Sequence, residues 1–183
     1  MSKYSIIYAD PPWSYRDKCN AGKRGACHKY DVMNLDDICA LDVPAADDSM
    51  LYLWATPPML LDAIRVMQAW GFTYKTIAFP WLKTTKTGKL AWGMGHYSRA
   101  NAEIVLLGKR GKGVPVIDHG VHSVVMSERM KHSQKPDEVA ERIVRMHGDV
   151  PRLEMFARRR MEGWDVFGNQ VDGSIEIGRK EAL

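Results

Sequence analysis

The sequence predicts an α/β fold in which a mostly parallel β-sheet carries helices on both faces. Apolar runs typical of buried strands alternate along the chain with segments whose apolar residues recur at helical spacing. Neither an internal repeat nor a low-complexity linker interrupts this alternation. A chain of 183 residues is long enough to bury one sizeable core. We therefore expect a single domain over residues 1–183.

The first predicted elements are two buried strands and two helix starts. Residues 4–9 and 50–55 are rich in apolar, β-branched and aromatic side chains, as in strands covered on both faces. Asn34 is expected to begin a helix, because its side chain can accept a hydrogen bond from an amide of the first turn. Pro57 and Pro58 open a second helix, since proline is tolerated in a first helical turn.

The later elements are less regular. The second helix is expected to run through Ala69 and to end at Gly71, which can adopt a left-handed conformation. Residues 83–99 form a predicted loop, and the basic stretch that leads to Glu128 has no clear pattern. The remaining predictions are strands at 74–82, at 102–107 with a stop at Gly108, at 152–157 and at 164–167, and a helix at 136–146.

Composition favours a globular protein of a reducing compartment. The content of 45% hydrophobic and 26% charged residues argues against a disordered chain. No apolar stretch reaches the length of a membrane span, and the N-terminus lacks a signal-peptide pattern. Three cysteines do not make a disulfide framework, which favours the cytoplasm. Cys19, Cys27 and His28 match no common zinc spacing, so no metal is expected.

The most informative motif is Asp10-Pro11-Pro12-Trp13, which directly follows the first predicted strand. Two prolines cannot continue a strand, so Asp10 is left at its carboxyl end, where open α/β sheets bind ligands. The Asp10 carboxylate and a proline carbonyl can accept both hydrogens of an exocyclic amine, while Trp13 can stack on a flat ring. The motif thus predicts a site for the amino group of a nucleobase. The alternative is a plain strand-to-loop turn with Trp13 in the core.

Basic residues suggest a polyanionic partner. The net charge is +4, and Lys and Arg recur in three glycine-bearing segments at 16–24, 83–89 and 109–112. Their position between apolar elements, beside the proline motif, favours contacts with phosphates of a nucleic acid. The alternative is that they are ordinary solvated loop charges.

Further motifs follow the proline motif in colinear order over nearly the whole chain, and together they carry a resemblance. They are the stretches 28–38, 51–56, 95–99, 132–138, 153–158 and 168–173, with Trp164 between the last two. With Asp-Pro-Pro-Trp they resemble the family of the eukaryotic messenger-RNA N6-adenosine methyltransferase catalytic subunit, which also has bacterial and phage members.

The resemblance implies a Rossmann-like methyltransferase that uses S-adenosylmethionine, with the catalytic motif ahead of the cofactor motif. It implies that Lys135 neutralises the carboxylate of the cofactor, and that Asn169 and Gln170 hold its ribose and neighbouring polar atoms. The other cofactor-binding residues that it implies are Asp10, Glu154, Phe156 and Arg158.

Two departures from the family pattern concern the cofactor adenine. In the eukaryotic enzyme an Asp-Ile pair well ahead of the proline motif helps to bind that adenine, and this chain begins too close to Asp10 to hold a counterpart. Residues 159–161, Arg-Arg-Met, also replace a His-Asn pair. How the cofactor adenine is held is therefore left open.

The expected reaction is methyl transfer to the N6 amine of adenine, on a base flipped out of the stack. DNA is the preferred substrate, because no RNA-binding domain is appended and short relatives are typical of bacteria and phages. The alternatives are RNA, a catalytically silent scaffold partner, and cytosine N4, whose usual motif begins with Ser or Thr. The recognition sequence, the strand preference and a homodimer are left open. The residues expected to contact the nucleic acid are Trp13 and Tyr30 by stacking, and Lys83, Lys86, Lys89, His96 and Arg99.

Overall fold

The described strands and helices follow the order that the sequence predicts, with one additional strand at residues 125–128. A computed structural model describes residues 3–14, 33–95, 97–130 and 134–180. The strands in these ranges are β1 (Tyr4–Ala9), β2 (Ala45–Ala55), β3 (Thr73–Thr84), β4 (Ala102–Arg110), β5 (Val125–Glu128), β6 (Arg152–Met155) and β7 (Asp165–Phe167). The helices are α1 (Leu35–Cys39), α2 (Leu60–Ala69), which a 3₁₀ turn at Pro57–Met59 precedes, and α3 (Asp137–His147).

The strands form one mixed sheet in the order β5-β3-β4-β2-β1-β6-β7. The pairs β1·β2, β1·β6, β3·β5 and β6·β7 are parallel, whereas β4 is antiparallel to both β2 and β3. Only β4 among the described strands therefore runs against the others. The carboxyl ends of the other strands and the amino end of β4 meet at one edge, which we call the upper edge.

Two apolar cores cover the two faces of the sheet, which confirms the predicted class. On one face Ile7 and Leu53 pack with residues of α1 and α2. On the other face Ile6 and Trp54 pack with Ile143 of α3. Because neighbouring residues of β1 point to opposite faces, its nearly uniform apolar sequence follows from burial on both sides. No described helix is long and apolar enough to cross a membrane.

Two predicted turns have the expected cause. The side chain of Asn34 accepts a hydrogen bond of 2.8 Å from the backbone amide of Asp37, so it caps α1. Gly71 follows α2 with a φ of 82°, a conformation that favours glycine.

Several boundaries differ from the predictions. The strand β2 begins at Ala45, earlier than predicted. Its first residues include exposed acids, which interrupt the apolar pattern on which the prediction relied. Residues 125–128 form β5, inside the stretch that had no clear pattern. The strand predicted to reach residue 157 ends at Met155, because Phe156 has a left-handed φ of 63°.

The prediction that Gly108 stops a strand is wrong, since β4 continues to Arg110. A Cβ atom on Gly108 would lie 2.9 Å from the sulfur of Met67 and 3.1 Å from Cβ of Phe72. Glycine here makes room for the end of α2 against the sheet, which is a common reason for glycine inside a strand.

We expect Gly108→Ala to lower the free energy of unfolding by about 1–3 kcal/mol, because the added methyl must displace Met67 or Phe72. Urea denaturation measures the change. Gly178→Ala is the matched control, since a Cβ there has no heavy atom within 4 Å. Its free energy of unfolding should stay within about 0.5 kcal/mol of wild type. Equal stability of the two variants would contradict the close-packing role.

Candidate active site

The turn after β1 is held by two backbone hydrogen bonds. The amide of Trp13 donates to the carbonyl of Pro11 over 2.8 Å, and the amide of Met33 donates to the carbonyl of Pro12 over 3.1 Å. Proline offers no amide of its own, so β1 ends before Asp10. The carboxylate of Asp10 is thereby placed at the upper edge, as predicted.

Trp13 lies in the core, where only 6% of its surface is exposed. Its indole N–H donates a hydrogen bond of 3.2 Å to the carbonyl of Trp54 at the end of β2. This placement corrects the prediction that Trp13 offers a stacking face to a base. The ring instead anchors the proline turn to the sheet, because a buried indole N–H needs an acceptor.

A chain of ion pairs runs along the upper edge. The Lys135 ammonium lies 2.9 Å from Oδ2 of Asp10 and 3.2 Å from Oε2 of Glu103, and Oε1 of Glu103 pairs with Lys83. Their side chains are only 15–23% exposed. Glu103 reaches this edge because β4 runs against its neighbours and begins where they end.

Burial and mutual attraction shift the pKa values of this chain in different directions. Burial raises the pKa of Asp10, an effect that Lys135 opposes and Glu103 reinforces. Burial also acts to raise the pKa of Glu103, but the two lysines outweigh it and the pKa falls below its ordinary value. Burial acts to lower the pKa of Lys135, yet Asp10 and Glu103 hold it above the ordinary value. Asp10 is thus the carboxylate that takes up a proton more readily than usual.

The structure does not support the predicted phosphate contact of Lys83. Its ammonium is paired with Glu103 and lies 4.9 Å from the ring centroid of Trp81. The sequence reasoning missed Glu103, because an acid at the start of an apolar strand resembles a surface charge. Its partner Lys83 becomes visible only once β3 and β4 are known to be antiparallel.

Two adjoining cavities lie beside Asp10. The larger has a volume of about 320 Å³ and the smaller one of about 150 Å³. The larger is lined by Tyr8, Gln134, Lys135 and Glu154 among others, the smaller by Pro12, Met33, Asn169 and Gln170 among others, and Asp10, Phe156 and Arg158 line both. The residues that the resemblance assigns to the cofactor are therefore brought together.

Phe156 shapes the wall that the two cavities share. Its φ of 63° is unusual for a residue with a side chain, and such strain clusters at functional sites. The ring packs against Phe167 with centroids 6.1 Å apart. The left-handed turn thus ends β6 where the two cavities meet.

Glu154 has an incomplete set of partners. Burial, with the nearby charge of Asp10, raises the pKa of Glu154 to about 7. Its buried Oε2 has no hydrogen-bond partner among the described residues. A cavity that holds the Lys135 ammonium at one point and an unsatisfied carboxylate oxygen at another suits a ligand with an anionic and a cationic group.

Two further residues bear on the site. The hydroxyl of Tyr8, which sequence reasoning also missed, accepts a hydrogen bond of 2.7 Å from the indole N–H of Trp54, and Tyr8 lines the larger cavity. Arg159, one of the residues that depart from the family pattern, pairs with Asp137 at the start of α3. Both members of that pair line the larger cavity.

The predicted nucleic-acid contacts are only partly described. Tyr30 and His96 lie outside the described residues, as do Cys19, Cys27 and His28. Lys86, Lys89 and Arg99 are exposed in the connection between β3 and β4, where the Arg99 guanidinium contacts the sulfur of Met94 over 3.3 Å. Within the described ranges no group of three His, Cys, Asp or Glu side chains could hold a metal ion.

Comparison of the sequence with known proteins places the chain in one family of methyltransferases. The MT-A70 family model matches residues 4–170. The type II methyltransferase M.MunI from Mycoplasma sp. is 35% identical over 195 residues, which cover 96% of this chain and 81% of that protein.

Two eukaryotic relatives match over a smaller share of their own length. The N(6)-adenosine-methyltransferase MT-A70-like protein of Drosophila melanogaster is 27% identical over 94% of this chain and 28% of that protein. The human N(6)-adenosine-methyltransferase catalytic subunit METTL3 is 25% identical over 94% of this chain and 29% of that protein. This chain thus spans less than a third of each.

We expect the Glu154→Gln variant of the free protein to be more stable than wild type, by a free energy of unfolding that grows as the pH rises. The folded pKa of about 7 lies above the ordinary value of 4.5, so the folded state is penalised when Glu154 ionises between these pH values. The variant should therefore gain up to about 3 kcal/mol over wild type between pH 4.5 and pH 8.

Denaturation at a series of pH values measures this gain. Glu162→Gln, which neutralises an exposed carboxylate, is the matched control and should show no comparable rise. A difference between Glu154→Gln and wild type that does not change with pH would mean that Glu154 is not held in a desolvating site.

Proposed function

Because the chain belongs to the MT-A70 family, we propose that it transfers a methyl group from S-adenosylmethionine to the N6 amine of adenine in DNA. The observation that carries this proposal is the grouping of Asp10, Lys135 and Glu154 around one cavity at the end of β1. An acceptor for an amine thus adjoins groups suited to a charged cofactor.

The cavity residues fit the cofactor by charge. When bound, S-adenosylmethionine supplies a methyl group on a positively charged sulfur. Lys135 would bind its carboxylate, and the unsatisfied oxygen of Glu154 would accept from its ammonium. Asn169 and Gln170 line the smaller cavity and carry the donors and acceptors that ribose hydroxyls need. The two cavities would together hold the whole cofactor.

Asp10 would hold and orient the target amine. The lone pair of an adenine N6 is delocalised into the ring, so the amine is a weak nucleophile. Asp10 would accept one N–H, and the carbonyl of Pro11, which uses one lone pair for Trp13, would accept the other. Both bonds favour a pyramidal nitrogen whose lone pair points away from them.

Asp10 would also take the proton that the nitrogen loses after methylation. An ordinary carboxylate is far too weak a base to deprotonate the amine beforehand. The methylated nitrogen is cationic and releases its proton readily. Since burial raises the pKa of Asp10, this carboxylate accepts such a proton better than an exposed aspartate.

The connection between β3 and β4 supports a nucleic-acid substrate. Residues 85–101 contain no Asp or Glu but include Lys86, Lys89 and Arg99. Trp92, which is 67% exposed, and the fully exposed Tyr97 belong to the same connection. Exposed rings among cations are typical of surfaces that stack on bases and contact phosphates. With Trp13 buried, these rings are the proposed stacking partners.

DNA is preferred over RNA for two reasons. The type II methyltransferase M.MunI is 35% identical over 96% of this chain, against 25–27% for the two eukaryotic relatives named above. Short relatives of this kind are typical of bacteria and phages, where DNA is the usual target. RNA is the second candidate, because the eukaryotic relatives are named as N(6)-adenosine methyltransferases.

The free thiol of Cys39 suits the reducing cytoplasm that we propose for the protein.

Methyl transfer from tritiated S-adenosylmethionine to matched DNA and RNA, followed by nucleoside analysis, tests the proposal. We expect label in N6-methyldeoxyadenosine. Label only in N6-methyladenosine would favour RNA, and label in N4-methylcytosine would overturn the choice of base. Failure of the chain to bind the cofactor in calorimetry would favour a silent scaffold.

Asp10→Asn tests the role of the carboxylate while keeping its shape. We expect the turnover rate to fall by about 100-fold or more, because the variant cannot take the proton and binds the amine less well. Binding to DNA, measured by fluorescence anisotropy, should persist. Asp42→Asn neutralises an exposed carboxylate and should behave as wild type. Near wild-type turnover in Asp10→Asn would leave the proline motif as a structural turn only.

Replacing Lys86 and Lys89 with Ala tests the phosphate contacts. If both contact a duplex, the slope of the logarithm of the binding constant against the logarithm of salt should become shallower by about 1.8, since each contact contributes about 0.9. The pattern of methylated sites should stay unchanged, because phosphate contacts carry no sequence information.

The control is the double variant Lys75→Ala and Lys112→Ala. It removes the same charge from exposed positions toward the opposite edge of the sheet, near the start of β3 and the end of β4. The salt dependence of the control should match wild type. An equal change in both double variants would indicate a general effect of net charge, and a changed site preference would show that the loop reads bases.

A further inference from the structure

Glu103 divides its two oxygens between two lysines from different parts of the chain. Oε2 lies 3.2 Å from the ammonium of Lys135, which precedes α3, and Oε1 pairs with Lys83 near the end of β3. Lys135 in turn lies 2.9 Å from Oδ2 of Asp10. The order of charges along the upper edge is therefore Lys83, Glu103, Lys135 and Asp10.

This arrangement is confined from below by aromatic rings. Lys83 lies 4.9 Å from the ring centroid of Trp81, and Lys135 lies 5.3 Å from that of Trp54. The two rings contact each other with centroids 6.0 Å apart. The ring of Trp54 covers one side of the Lys135 ammonium, and Asp10 and Glu103 are its two anionic partners among the described residues.

Asp10 meets a conflict that Glu103 can resolve. In the proposed function Asp10 must accept hydrogen bonds from the target amine, but its Oδ2 is engaged by Lys135. An ammonium has three N–H donors and a buried one is costly to leave unpaired. Lys135 can turn away from Asp10 only if another anion in the protein holds it.

We propose that Glu103 is a positioning residue, which holds Lys135 and so leaves the Asp10 carboxylate available to the target amine. The proposal rests on the proposed function for the role of Asp10. Lys83 sets the strength of this hold, because it competes for the charge of Glu103. Lys83 thus belongs to the active site and not to the phosphate-binding surface.

The test compares Glu103→Gln with Lys83→Gln. The two substitutions remove opposite charges from the same row of ion pairs, so they should shift the pKa of Asp10 in opposite directions. Glu128→Gln, on the neighbouring strand β5, is the control for loss of an exposed carboxylate. The first readout is the pKa of Asp10 in the free protein, followed by carbon NMR of its carboxyl group and assigned with Asp10→Asn. Turnover against pH and the calorimetric dissociation constant of S-adenosylmethionine are the other readouts.

In Glu103→Gln the pKa of Asp10 should fall, because a neighbouring anion is removed and Lys135 turns to Asp10 alone. Among the residues that the structure describes, the other charged or titratable groups that face Asp10 are Arg158, Tyr8 and Glu154, and they are unchanged. Turnover requires ionised Asp10. In the profile of turnover against pH, the rise on the acidic side should therefore move to lower pH. The plateau should fall about tenfold or more, since Asp10 becomes a weaker acceptor.

Cofactor binding separates positioning from mere structure. Lys135 keeps its charge in Glu103→Gln, so the dissociation constant of S-adenosylmethionine should stay within about threefold of wild type. In Lys83→Gln the rise on the acidic side should move to higher pH, because a cation is removed and Glu103 acts more strongly. If Glu103 had only a structural role, its substitution would lower cofactor binding and turnover together and would leave the shape of the pH profile unchanged.

The outcomes are distinct from a failure of the proposed function. If wild type transfers no methyl group, the proposed function fails, and the NMR titration still measures the coupling of Glu103 to Asp10. If wild type is active, an unchanged pKa of Asp10 in Glu103→Gln, or wild-type turnover, overturns the positioning role. A shallower salt dependence of DNA binding in Lys83→Gln, with no change at Asp10, would return Lys83 to the phosphates and also overturn it.

Discussion

The pairing of Asp10 with Lys135 is the interaction on which the site depends. Each group alone would be expensive to bury at the sheet edge, and the attraction between them offsets part of that cost. Their proximity requires the proline turn after β1 and the segment before α3 to meet above the same strands. Burial and then the nearby charge of Asp10 raise the pKa of Glu154, and Glu103 engages the same Lys135 ammonium as Asp10 does. A buried ion pair of this kind contributes little stability by itself, so its value lies in the chemistry that it permits.

The sheet supplies the rigidity that such a site needs. The central strand β1 is paired on both sides, and its side chains are buried on both faces. Trp13 ties the proline turn to β2 through its indole N–H, and Trp54 ties β2 back to Tyr8 of β1. These bonds join neighbouring strands just below the site. The proline turn that carries Asp10 is thus tied to the core of the sheet.

Local patterns predicted the fold class and Asp10, whereas the other predicted cofactor residues came only from the family resemblance: Lys135, Glu154, Phe156, Arg158, Asn169 and Gln170. Strand and helix periodicity is recognised within a few residues, and the two prolines after Asp10 mark it as the residue at the end of its strand. The direction of β4 has no local pattern, since parallel and antiparallel strands share the same periodicity. For that reason the pairing of Lys83 with Glu103 was not foreseen. Gly108 was taken as a strand end because glycine often marks one, and its packing against Met67 is visible only in the fold.

The reversal of β4 has a consequence for how such a protein can diversify. The connection from β3 to β4 joins two antiparallel neighbours, so it leaves the sheet and returns to it at the same edge. Backbone hydrogen bonds close it at its base, from the Lys83 amide to the Asn101 carbonyl and from the Gly93 amide to the Ala100 carbonyl. Lengthening a loop beyond such a closed base costs only about 0.6 kcal/mol for each doubling of its length. Insertions can therefore accumulate directly beside the reacting groups, while the strands that hold those groups stay as they are.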